Sequence, residues 1–157
     1  MNDDREDLFE SLRDDRRHGS RELMTRLLEG LLETGDLPEA PGDFGKLCRR
    51  IDDLRPGMAL FRNVAALLEH RFRNRSPASP RQIVVELLRY HRQSVDKILD
   101  HYRRSGFSDA TILVFSRSGT LAELLKDLRP RRVYVPESHP GSEGISLARR
   151  LSEDLEV

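Results

Sequence analysis

At Ser105-Gly106 the hydrophobic period of this chain changes, and that change constrains its fold more than any other feature. Before it, apolar residues recur at the three-to-four spacing of amphipathic helices. After it comes ATILVF, a continuous apolar run between turn signals, as expected for a buried parallel strand. SGTLAELLKDL returns to helical spacing. RRVYVPES reads as a second strand, GSEGISLARRLSED as a second helix, and LEV as the start of a third strand. This alternation is the βαβ signature. The expected fold class is α/β, with an N-terminal all-helical domain over residues 1–106 and the first part of a parallel sheet over 107–157. Two strands and a stub leave an apolar edge uncovered. The expectation is that the natural chain continues past Val157; the alternative is that something else covers that edge.

The helical half is built from separate amphipathic stretches. Residues 3–17 carry Leu8 and Leu12 with Phe9 alongside, acids leading and Arg16 and Arg17 trailing. After His18-Gly19-Ser20, Ser20 is expected to cap a helix with the stripe Leu23, Met24, Leu27, Leu28, Leu31 and Leu32, ended by Thr34-Gly35-Asp36. LPEAPGD reads as a loop, with Asp43 capping a helix that carries Phe44, Leu47 and Ile51. Arg55-Pro56-Gly57 breaks it. Met58, Phe61, Val64, Ala65, Leu68 and Phe72 mark the next helix, and NRSPASP the next linker. A long helix from Ser79 to about Arg104 carries Ile83, Val84, Leu87, Leu88, Val95, Ile98, Leu99 and Tyr102.

Charge and composition exclude more than they assign. Lys plus Arg and Asp plus Glu are both 27 in 157 residues, so the chain has no basic surplus for nonspecific nucleic-acid binding. Zero net charge favours association near neutral pH. The charge runs mix acids and bases and read as solvated faces. Cys48 is the single cysteine, so no internal disulfide forms, and its setting reads as packing. The start MNDDREDLFE carries no secretory apolar region and no run is long enough to span a bilayer, so a cytoplasmic, membrane-free protein is expected. His18, His70, His91, His101 and His139 lack metal-ligand spacing, and His91 and His101 read as solvated on a charged helix. No metal or cofactor is expected.

Chemistry concentrates where strands end. Ser116, Arg117, Ser118, Gly119 and Thr120 sit between the first strand and its helix. Ligands of open α/β sheets bind outside the carboxyl ends of strands, and a helix N-terminus offers amides to an anion. Gly119 permits close backbone approach, and Arg117 and the hydroxyls add donors. The competing reading makes Ser118 a helix cap and Arg117 a solvated side chain. The spacing is neither a Walker loop nor GxGxxG. In PESHPGSEG, Glu137 ends the second strand at the same sheet end. Its carboxylate can bind sugar hydroxyls, act as a base, or tie down a loop; Ser142 can cap the next helix, and Gly144 lets a ligand or strand approach. Arg55 is either part of a helix-helix corner or aimed at a phosphate.

Taken together, DRRHGSREL at 15–23, LRPGMALFRN at 54–63, ILVFSRSGTLAELL at 112–125 and VYVPESHPGSEGISLARRL at 133–151 resemble the alpha, beta and delta subunits of translation initiation factor 2B. That family shares its fold with methylthioribose-1-phosphate and ribose-1,5-bisphosphate isomerases, and the resemblance is strongest to initiation-factor-2B-like bacterial and archaeal members. It implies an N-terminal helical domain followed by the first half of a Rossmann-like sheet. It further implies that Arg55, Ser116, Arg117, Ser118, Gly119, Thr120, Glu137 and His139 serve a phosphorylated sugar or an AMP-like nucleotide.

The chain departs from the isomerases in two places. Ser116 stands where they carry a catalytic cysteine, and a hydroxyl is far less acidic than a thiol. Their catalytic aspartate aligns beyond Val157. His139 stands where the family often has Arg, which weakens phosphate contact at neutral pH. The resemblance therefore implies a non-catalytic binding, regulatory and assembly subunit that forms homo-oligomers or joins related subunits, without direct contact to nucleic acid. The alternatives are a sugar-phosphate isomerase working by proton transfer and a structural helical interaction module.

Overall fold

The computed structural model describes residues 3–35, 37–74, 79–104, 109–115 and 118–157. It is mostly helical, with one small parallel sheet. The order is α1 (Asp3–Asp14), α2 (Ser20–Glu33), α3 (Pro41–Leu54), α4 (Ala59–Asn74), α5 (Pro80–Arg103), β1 (Thr111–Leu113), α6 (Gly119–Leu128), β2 (Arg132–Tyr134) and α7 (Glu143–Leu151). The chain divides into two compact units, Met1–Arg92 and Gln93–Val157. The dividing point lies inside α5. At the far end of α5, Arg103 makes a bidentate pair with Asp127 of α6, Nε to Oδ2 at 2.9 Å and Nη2 to Oδ1 at 2.6 Å. That guanidinium holds the Asp127 carboxyl below the usual carboxylate range.

In the first unit the apolar stripes meet in one core. Leu23, Met24, Leu27, Leu28 and Leu31 of α2 pack with Phe44, Leu47 and Ile51 of α3, Phe61 and Leu68 of α4, and Ile83, Val84 and Leu87 of α5. Burying each such side chain contributes ~1.5–3 kcal/mol, which is why the spacing alone located the helices. Phe44 stacks on Phe72 with centroids 4.2 Å apart. Cys48 is buried in the same core, and burial, helped by Glu69, pushes its thiol up to about 11.

The helix starts differ from expectation. Gly19, not Ser20, is the N-cap of α2, and Ser20 is its first residue. Ala40, not Asp43, precedes α3, which opens on Pro41; Asp43 lies in the first turn and accepts from Lys46 Nζ at 2.8 Å. Proline at a first helical position sacrifices an amide that has no intrahelical partner there, so Pro41 starts the helix earlier than a capping side chain would. His91 is buried rather than solvated, and its Nε2 donates to the Arg21 carbonyl at 3.0 Å. The linker NRSPASP and the boundary Ser105-Gly106 fall largely outside the described residues.

In the second unit β1 and β2 pair in parallel with Thr111 opposite Arg132, Ile112 opposite Val133 and Leu113 opposite Tyr134. Val114, Ala122, Leu125, Val133, Leu147 and Leu151 form its core, joining one face of the sheet to α6 and α7. The other face is open, with Phe115 73%, Leu113 55% and Tyr134 51% exposed. ATILVF is therefore not a strand buried on both faces: only Thr111–Leu113 is strand, and its burial alternates. A continuous apolar run specifies two faces to cover, and here one face is covered. LEV forms no strand. Its backbone nonetheless runs beside β2, where Val133 N–H donates to the Glu156 carbonyl at 2.9 Å. The β1–α6–β2–α7 arrangement is consistent with part of a Rossmann-like element.

Candidate functional site

Because β1 and β2 are parallel and in register at Leu113 and Tyr134, the loops that follow them leave the sheet at the same end. The Val114 amide donates to the Tyr134 carbonyl at 3.0 Å, carrying the pairing one residue further. Ser116 and Arg117 lie outside the described residues. The rest of that loop is defined. Ser118 is the N-cap of α6, and its Oγ accepts from the Leu121 amide at 3.3 Å. The first intrahelical bond runs from Ala122 to the Ser118 carbonyl at 2.9 Å. Gly119 and Thr120 thus hold the first-turn amides that a helix cannot satisfy internally. Gly119 has open space around it: a Cβ placed there meets nothing within 4 Å. The fold does not demand glycine at this position.

Gly144 is the opposite case. A Cβ there would sit 1.7 Å from the Pro136 oxygen and 3.0 Å from the Glu137 oxygen. The Gly144 amide donates to the Glu137 carbonyl at 3.0 Å. What approaches the first turn of α7 is therefore the protein's own loop backbone, and this glycine serves the fold.

That loop holds Glu137 in place. Ser142 Oγ donates to Glu137 Oε1 at 3.2 Å, and His139 Nε2 lies 3.2 Å from Oε2. Ser142 is the N-cap residue of α7, but its hydroxyl caps no amide and serves Glu137 instead. Ser138 and Ser142 both take left-handed backbone, φ 65° and 47°, which costs a non-glycine residue of order 1 kcal/mol each. Nothing in the Ser residues themselves signals that conformation. Glu137 and His139 are exposed, so the carboxylate is oriented by its neighbours yet open to a solute. A carboxylate accepts and does not donate, so this group suits hydroxyls rather than a phosphate.

Arg55, in the first unit, is committed locally. Its Nε donates to the Leu12 carbonyl at 3.0 Å and its Nη2 to the Asp15 carbonyl, so it caps the C-terminal end of α1. Asp15 is the centre of a network that the sequence did not announce. Its carboxylate accepts from the Arg17 amide at 2.8 Å, the His18 amide at 3.0 Å, His18 Nδ1 at 2.7 Å and Arg26 Nη1 at 2.6 Å. The hydrogen bonds from His18, side chain first, hold the Asp15 carboxyl well below the usual carboxylate range. The only trace in the sequence is the short Asp-x-x-His spacing in DRRH. Among the described residues no group of three or more His, Cys, Asp or Glu side chains is arranged to hold a metal ion. None of the described helices is long and apolar enough to cross a membrane.

No protein-family model matches the chain. No curated protein matches it either. Among solved structures it is similar to the crystal structure of the Pyrococcus horikoshii OT3 translation initiation factor eIF-2B, with a TM-score of 0.71 and 21% identity over 96% of this chain. The chain spans 56% of the length of that protein. At that identity the match concerns architecture and not activity. Over its length the chain has a fold similar to that of this eIF-2B structure.

Proposed function

We propose that the chain is a non-catalytic, initiation-factor-2B-like subunit that binds a phosphorylated sugar or an AMP-like nucleotide and assembles with copies of itself or with related subunits. The observation that carries this reading is the pair of loops leaving parallel strands at one end of the sheet, one opening α6 and the other presenting Glu137. Gly119 and Thr120 supply first-turn amides to the phosphate, with Ser116, Arg117 and Ser118 as further donors. Glu137 accepts from the sugar hydroxyls, and His139 lies beside it. Because Arg55 is engaged by α1, the reading rests on residues of the second unit.

Support for a binding role over an isomerase role comes from Ser116, whose hydroxyl is poorly suited to moving a proton between adjacent carbons. Calorimetric titration with AMP, ribose 5-phosphate and ribose 1,5-bisphosphate tests the proposal. Saturable binding that weakens at least tenfold in Arg117→Ala, and in Gly119→Ala without loss of helicity, is expected. No binding to any of the three, or binding indifferent to both substitutions, rejects it. Turnover of ribose 1,5-bisphosphate abolished by Ser116→Ala overturns the non-catalytic part.

A further inference from the structure

We draw no further inference here: the strongest candidate, the open apolar face of the two-stranded sheet formed by Leu113, Phe115 and Tyr134, carries nothing because no feature of the structure shows what covers it.

Discussion

Replacing Gly144 by alanine places a methyl group 1.7 Å from the Pro136 oxygen and 2.8 Å from its carbonyl carbon. Both atoms are main chain, so no side chain can swing aside. Either α7 or the loop 135–142 must move. Movement breaks the Gly144–Glu137 hydrogen bond and loosens Leu147 and Leu151 in the core they share with Val114, Ala122, Leu125 and Val133. Overpacking of this kind costs about 1–3 kcal/mol, and a clash with backbone belongs at the upper end. The higher helix propensity of alanine offsets roughly 1 kcal/mol of that. The net loss is about 1–2 kcal/mol, a five- to thirtyfold rise in local opening.

Hydrogen exchange at the amides of α7 reads this directly, without requiring the two units to unfold together. The same substitution at Gly42, where a Cβ meets nothing within 4 Å, is the control; exchange in α3 is expected to be unchanged or slower. Unchanged exchange across α7 in Gly144→Ala would refute the claim that the loop backbone, rather than a solute, occupies the space beside this glycine.

Four further outcomes follow from named contacts. Arg55→Ala removes two donors, one from the Leu12 carbonyl of α1 and one from the Asp15 carbonyl just beyond it, and is expected to lower the stability of the first unit by about 1–3 kcal/mol, seen as faster exchange at the C-terminal end of α1 and the start of α2; Arg55→Lys restores only part, since an ammonium lacks the planar fork. Asp15 has a depressed folded pKa, so its contribution is fully present above its unfolded value of about 4 and is lost as pH falls through the folded one. A urea midpoint that falls as steeply below pH 4 in Asp15→Asn as in the parent chain counts against that sign. Cys48, buried and pushed up to about 11, is expected to resist a disulfide reagent at pH 8 until urea unfolds the chain, and prompt labelling of the native protein contradicts it. Ser118→Ala costs α6 about 1 kcal/mol through loss of its cap while Ser118→Asp keeps it, to be compared by exchange at Leu121 and Ala122.

Local chemistry was legible where a few neighbouring residues suffice to decide it. The stripe Leu23, Met24, Leu27, Leu28 and Leu31 announced α2 because burial of apolar area follows helical period. Ser118 was readable as a cap, since its acceptor and the amide it serves lie three residues apart. The change of period after α5 marked the parallel pair β1 and β2 for the same reason. Helix starts were less legible, because Pro41 and Gly19 open helices by backbone conformation while Ser20 and Asp43 advertise a side-chain cap that is not used.

Other features depend on residues distant in sequence. Gly119 and Gly144 look alike as letters, yet one faces open space and the other its own loop, and only tertiary packing separates them. Sequence left Arg55 as either part of a helix-helix corner or aimed at a phosphate; the fold brings it against the Leu12 and Asp15 carbonyls, 43 and 40 residues away, where satisfying partly buried acceptors outweighs solvation. The alternation of TIL came from the period of a strand, whereas which face stayed open was decided by where α6 and α7 packed. Sequence sets the local period and the inventory of donors and acceptors; tertiary structure decides which of them meet, because contact energies at long separation depend on geometry that no short window contains.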